Sequence, residues 1–334
     1  MMNKIAIIGA GSWGCALADL LHENKHSVVL YDNNIEIVES INKNHTCCKI
    51  PNYYINENLK ASTDLKYVID FANIILLVVP TKVVRSVLRE ISKVISNKKI
   101  FINAAKGIES DSNKRISEIV YEEIENKYID GFVSLTGPSH AEELIEKKLT
   151  LVTSASKDFE KAKFVQKLFS NKDYFRVYTS DDLIGAEVCG ALKNVYALAS
   201  GICEGLGFGV NARAALITRA LAEMKRLALF LGAKEQTLLG LTGVGDMIVT
   251  CTSILSRNYQ AGLNIAKGDN LEEALSKITM VVEGANTCIA GYNLAKEHNI
   301  YMPIINAVYN VIYLKKNPKD EISRLMSNEL ISEN

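Results

Sequence analysis

Lys193 and Asn194 lie in a run of small and apolar residues, 185–200, where a helix would be buried on nearly every side. Helical spacing puts Gly190, Lys193, Asn194 and Ala197 on one face. A lysine there either forms a salt bridge or serves a site. Burial disfavours its charged form and brings its pKa toward the range useful for proton transfer. Taken alone, the residues leave structure and catalysis both open. Asp246 and Thr250, four apart, would share another helix face. Ser256 reads as an N-cap, with Arg257 and Asn258 in the first turn. A guanidinium fork beside free helix N–H groups makes a phosphate receptor, although such a turn is more often a solvated cap. Lys106 follows the apolar run 100–102. Without further context it reads as a strand-end lysine in solvent.

A second cluster stands at the other end of the chain. Gly9-Ala-Gly11-Ser12-Trp13-Gly14 directly follows the apolar run 5–8 and opens a helical stretch. Gly9 suits a tight turn, Gly11 lets backbone approach a pyrophosphate, and Gly14 lets helix pack on strand. The helix N-terminus offers N–H groups and a positive dipole end to phosphates. Asp32 ends the next strand-like run, where a ribose hydroxyl would lie. A carboxylate there accepts from a 2′-hydroxyl and repels a 2′-phosphate. Its neighbours Asn33 and Asn34 carry no compensating charge. NAD is therefore expected over NADP, the alternative being that Asp32 only ends the strand and caps the turn.

These residues need a frame. Apolar runs at 5–8, 28–31, 74–79, 100–102 and 132–135 alternate with amphipathic stretches such as 116–124. Continuous β-branched runs fit strands buried on both faces of a parallel sheet. Runs at 149–153 and 175–178 extend its edge. After about residue 180 strand-like runs nearly vanish, and helical segments follow at 183–200, 212–231, 271–278, 285–297 and 304–313. The expected fold is α/β: an N-terminal Rossmann-like doubly wound sheet, residues 1–180, followed by an all-α C-terminal domain, residues 181–334. From Lys315 the tail is charged and expected on the surface.

Composition removes several classes. Lysine and arginine number 38, as do aspartate and glutamate, so there is no field to hold a nucleic acid. The longest strongly apolar run is six residues, far below the roughly 20 that cross a bilayer, so no membrane insertion is expected. Seven cysteines occur without a CxxC pair, and the five histidines lack ligand spacing. That pattern points to a reduced, cytoplasmic protein with no zinc site.

Taken together the chain resembles the NAD(P)-dependent glycerol-3-phosphate dehydrogenase family of bacterial type. The resemblance rests on GAGSWGCALA, VVPT (78–81), AAKGIE (104–109), TGPSHAEEL (136–144), GALKNVYALASGICEGLGFGVNARAALITRALAEM, GVGDMIVTCTSILSRN and VVEG (281–284). It implies interconversion of sn-glycerol 3-phosphate and dihydroxyacetone phosphate with NAD or NADP, supplying glycerol phosphate for phospholipid synthesis. Lys193 would be the proton donor and acceptor, with Lys106 near the same oxygen and the nicotinamide. Asp246 and Thr250 would orient lysine and substrate. Gly137, Ser139 and Asn194 would contact substrate, and Ser256, Arg257 and Asn258 its phosphate. Ser139 is also expected to open a capping box with Glu142. The cofactor would meet Gly9, Gly11, Ser12, Trp13, Gly14, Asp32, Asn33, Lys106, Ala141, Arg257, Val281 and Glu283. By sequence alone Glu283 would pass as an exposed carboxylate. The expected partner is a small-molecule substrate, with a homodimer left open. Two rivals stand beside this reading. One is a 3-hydroxyacid or 6-phosphogluconate type dehydrogenase; the other is a non-catalytic nicotinamide-sensing protein.

Overall fold

A computed structural model describes residues 2–47, 50–278 and 281–327. Its first half is one eight-stranded sheet in the order β3-β2-β1-β4-β5-β6-β7-β8. The strands are β1 Lys4–Ile8, β2 Ser27–Tyr31, β3 Lys60–Ser62, β4 Ile74–Leu77, β5 Lys99–Asn103, β6 Ile129–Thr136, β7 Thr150–Ala155 and β8 Phe175–Ser180. From β1 the chain winds one way through β2 and β3, then returns to place β4 on the other side of β1. That reversal opens a crevice at the carboxyl ends of β1 and β4, where ligands of such sheets bind. Strands β1 and β4 are buried along almost their whole length, and apolar clusters fill both faces of the sheet.

Two features depart from expectation. β7 runs antiparallel to β6, so the last two strands oppose the rest. The connection, residues 137–149, carries only the five-residue helix Ala141–Ile145 and does not bring the chain back along the sheet. The edge strand β3 has three residues, too few for a period-2 pattern to stand out.

Beyond Ser180 the chain is helical. Helix Leu183–Gly205 forms the axis, buried almost throughout, and runs five residues past the expected end. Helices Gly209–Phe230, Asp246–Thr252, Arg257–Ala266 and Glu283–Glu297 pack around it. The approach of Arg257–Ala266 is backbone to backbone. A Cβ on Gly201 would lie 2.1 Å from the Tyr259 carbonyl oxygen, and one on Gly262 would lie 2.2 Å from that of Leu198. This contact sets the N-terminus of the Arg257 helix beside Asn194. Helices Leu271–Ser276 and Pro303–Ile312 complete the bundle, and the charged tail forms the helix Pro318–Met326. No single helix among the described residues is long and apolar enough to cross a membrane.

Candidate active site

A cavity of about 810 Å³ opens at the crevice, walled by both halves of the chain. At one end is the glycine turn. Gly9 has φ +111°, a conformation other residues rarely adopt. A Cβ on Gly14 would sit 2.0 Å from the Gly9 carbonyl oxygen, so helix Ser12–Glu23 presses directly on the turn. A Cβ on Gly11 would meet no protein atom within 4 Å, and Gly11 lines the cavity. The turn is therefore a cradle open to a ligand, with the helix N–H groups behind it, as a pyrophosphate requires. Asp32 caps the turn and also faces the cavity. Its carboxylate accepts from the backbone N–H groups of Ala10 (3.1 Å) and Asn34 (3.0 Å), and it lines the cavity with spare lone pairs. Ser12, Trp13 and Asn33 line the same end.

At the other end Asp246 lies between two lysines and is fully buried. Lys193 donates to Asp246 Oδ1 and, at 2.8 Å, to Thr250 Oγ1. Thr250 accepts because its own hydroxyl donates to the Asp246 carbonyl (2.6 Å), one helical turn back. Lys106 donates to Asp246 Oδ2 (2.9 Å) and to the Gly137 carbonyl (2.8 Å), with Ser139 Oγ at 3.5 Å. Burial of Lys193 pulls its pKa down to about 7; Asp246 opposes that fall and Lys106 adds to it. Burial alone would raise the Asp246 pKa, but the two ammonium groups overcome it and hold the carboxyl below its usual range. A lysine poised near neutrality in a ligand cavity can serve as both acid and base.

A hydrogen-bond chain ties the halves together. The Gly284 N–H donates to Asn258 Oδ1 (2.8 Å), Asn258 Nδ2 to Asn194 Oδ1 (3.0 Å), and Asn194 Nδ2 to the Lys106 carbonyl (3.1 Å). Ser256 is the expected N-cap, accepting from the Tyr259 N–H at 3.3 Å. Arg257 begins that helix and lines the cavity. It forms no ion pair among the described residues, and burial lowers its pKa against the nearby charges of Glu142 and Glu283. A mostly buried guanidinium at a helix N-terminus suits an anionic ligand.

Glu283 is not an exposed carboxylate. It accepts from the Thr81 N–H (2.9 Å), so it caps helix Thr81–Val94 from the far half of the chain, and burial raises its pKa. The Ser139–Glu142 capping box is absent. His140 holds the N-cap position with no side-chain cap, while Ser139 Oγ donates to the Gly137 carbonyl at 2.9 Å. Val281 borders the cavity, whereas Gly137 and Ala141 do not line it. Missed altogether was His140, which lines the cavity. Only its place next to Ser139 could have drawn notice.

Comparison with known proteins accounts for both halves. The model of the NAD-dependent glycerol-3-phosphate dehydrogenase N-terminus matches residues 4–162, and that of the C-terminus matches residues 182–323. A glycerol-3-phosphate dehydrogenase [NAD(P)+] of Ligilactobacillus salivarius is 50% identical, covering 98% of each chain. Its counterpart in Streptococcus agalactiae is 48% identical over 99% of this chain and 98% of its own. The crystal structure of glycerol-3-phosphate dehydrogenase from Coxiella burnetii superposes with a TM-score of 0.93 at 35% identity, covering 98% of this chain and 99% of that one. A D-mandelate dehydrogenase, at 16% identity and TM-score 0.64, shares the fold alone. With both family models matched and close relatives aligned end to end, the chain belongs to the NAD-dependent glycerol-3-phosphate dehydrogenase family.

Proposed function

We propose that this chain interconverts sn-glycerol 3-phosphate and dihydroxyacetone phosphate, with NAD(P) as hydride carrier and Lys193 as general acid and base. The observation that carries the reading is one cavity joining the Gly9–Gly14 turn to Lys193, itself held by Asp246 and Thr250. When bound, the nicotinamide supplies the hydride acceptor or donor. Lys193 as free amine takes the carbon-2 hydroxyl proton; as ammonium it returns that proton to the ketone oxygen. Lys106 places a second positive charge beside that oxygen. Arg257, at the helix N-terminus capped by Ser256, holds the phosphate and so fixes which end faces the cofactor. Asn194 and Asn258 keep Lys106 and Gly284 in register. A non-catalytic sensor would need none of the Lys106–Asp246–Lys193 arrangement.

Finer parts of the reading belong here too. NAD preference is supported by Asp32 and Glu90, carboxylates at the glycine-turn end of a cavity whose cations lie at the other. A boundary at residue 180 is supported by the end of β8 at Ser180 and the start of the next helix at Leu183. The free, buried thiols of Cys189, Cys203, Cys251 and Cys288 support a cytoplasmic setting. Exposed Phe208 and Val210 support a homodimer, and the phosphorylated product suits phospholipid supply. The test is a spectrophotometric assay with dihydroxyacetone phosphate and each reduced cofactor in turn. NADH should serve at least as well as NADPH, and Lys193→Ala should lose about 10²–10⁴-fold in kcat. Absence of turnover with either cofactor would overturn the reading.

A further inference from the structure

The segment 104–115, which carries Lys106 away from β5, closes on itself. Ile108 bridges antiparallel to Arg115, and the Glu109 N–H donates to the Lys114 carbonyl at 3.0 Å. This loop meets helix Leu183–Gly205 at three levels. Asn194 Nδ2 donates to the Lys106 carbonyl (3.1 Å), Ile108 packs with Ala191 and Ala290, and Arg115 donates to Glu187 Oε2 (2.9 Å). Glu187, Ala191 and Asn194 are spaced i, i+4, i+7, so they form one stripe on the helix that also bears Lys193. Seven residues span about 10 Å of helix. Glu187 is buried and accepts in addition from the Ser117 N–H (2.8 Å) and Ser117 Oγ (2.5 Å), so it caps helix Ile116–Glu123 from the other half of the chain.

Buried ion pairs often stabilise no more than well-packed apolar contacts of similar volume. Holding the halves together therefore does not by itself call for Glu187 and Arg115. Direction does. A single hydrogen bond at Asn194 fixes one point and leaves the loop free to pivot about it. A second fixed point about 10 Å along the helix removes that freedom. We infer that Glu187 is a positioning residue: through Arg115 it aligns the Lys106 loop along the helix that bears Lys193, so that both ammonium groups meet the carboxylate of Asp246. This rests on the function proposed above.

Glu187→Gln removes the charge and keeps an acceptor for the Ser117 N–H. A misplacement of about 1 Å at a reacting centre costs on the order of 100-fold, so kcat for ketone reduction, on its low-pH plateau, should fall about 10- to 100-fold. The KM values for NADH and dihydroxyacetone phosphate should stay near those of the parent, because the Gly9–Gly14 turn and Arg257 are untouched. The pH profile supplies the readout that a merely structural role would not move. Lys193 is faced by Asp246, Lys106, His140 and Cys251. Of these, Lys106 lowers its pKa and shares Asp246 with it, so a displaced Lys106 lets that pKa rise above about 7. The pH at which reduction declines should therefore move upward in Glu187→Gln. Either a parental plateau or an unmoved profile in the folded variant would overturn the inference, whatever its Tm. If Glu187→Gln does not fold, Arg115→Met, whose side chain reaches the surface, carries the same expectations and the same refutation. A parent inactive on dihydroxyacetone phosphate would instead sink the underlying function. The crystal structure of Glu187→Gln then decides: Lys106 displaced from Asp246 would support the alignment, and Lys106 still bonded to it would overturn it.

Discussion

Replacing Asp246 by Asn removes one negative charge from between two ammonium groups while nearly preserving shape. Two unit charges about 3 Å apart interact by roughly 5–6 kcal/mol at an effective dielectric near 20. If the asparagine carbonyl and entering water return half of that, the pKa of Lys193 falls by about two units at 1.36 kcal/mol each. Asp246 now holds that value up at about 7 against burial and Lys106. In the variant it would lie near 5, so the ammonium fraction at pH 7 drops from about one half to about one hundredth. In the proposed mechanism ketone reduction needs Lys193 as ammonium. Its rate should therefore fall about 50-fold from protonation alone, and further as Lys106 loses its anchor. The sign differs by direction. In the parent, reduction should decline as pH rises through about 7 and oxidation should rise through the same range. In Asp246→Asn both limbs should move to lower pH. The assay is kcat against pH for both directions, with thermal melting to confirm that the variant folds. Profiles superimposable on those of the parent would refute the electrostatic role given to Asp246.

Three other outcomes are expected. Arg257→Ala should raise the KM for dihydroxyacetone phosphate about 10- to 100-fold, the loss of a charge-assisted contact; unchanged discrimination against unphosphorylated dihydroxyacetone would place the phosphate elsewhere. Gly11→Ala should keep the parental Tm but weaken NADH binding, because its Cβ enters only the open cradle, whereas Gly14→Ala should lower Tm, because its Cβ meets the Gly9 carbonyl at 2.0 Å; equal effects in binding and melting experiments would argue against this division. Glu223 is buried and accepts from the backbone N–H groups of Ile304 (2.8 Å) and Ile305 (2.9 Å), and burial raises its pKa to about 7 from 4.5. A raised carboxyl favours the fold at low pH and loses that stabilisation as pH climbs from about 4.5 through 7. Glu223→Gln should flatten Tm against pH in that window while costing about 1–3 kcal/mol, since its amide group would face a backbone donor; an unaltered slope would assign the titration to another group.

What could be read from the sequence was what depends on near neighbours. The Gly9–Gly14 turn is legible because its sterics involve a strand, a turn and a helix contiguous in the chain. Helix Leu183–Gly205 is legible because a segment apolar on all sides has to be buried. The N-cap at Ser256 needs only the Tyr259 N–H, three residues on. Failures came where the deciding partner is remote. Glu283 has the composition of a surface carboxylate, and its burial depends on Thr81, 202 residues away. At Ser139 the local capping pattern competed with the Gly137 carbonyl, and the turn won. β3 takes its place from a neighbour: the Asn42 side chain both accepts from the Ala61 N–H and donates to its carbonyl, each at 2.9 Å.

The same remoteness explains why the site is built across two halves. Lys106 comes from the end of a sheet strand, but the carboxylate it needs, Asp246, comes from the helical half. Its backbone is held by Asn194, which Asn258 orients, which Gly284 orients in turn. Thr81 is gripped by Glu283, the residue just before Gly284 at the start of helix Glu283–Glu297. Three of these links, Lys106–Asp246, Lys106–Asn194 and Thr81–Glu283, cross between the halves and form only when both are docked. On the function proposed above, these contacts set the spacing between the cofactor cradle and the proton-transfer group. Hydride and proton must leave the same carbon–oxygen pair, so that spacing is the quantity the reaction is most sensitive to. On that function the polar chain serves the chemistry as well as the fold.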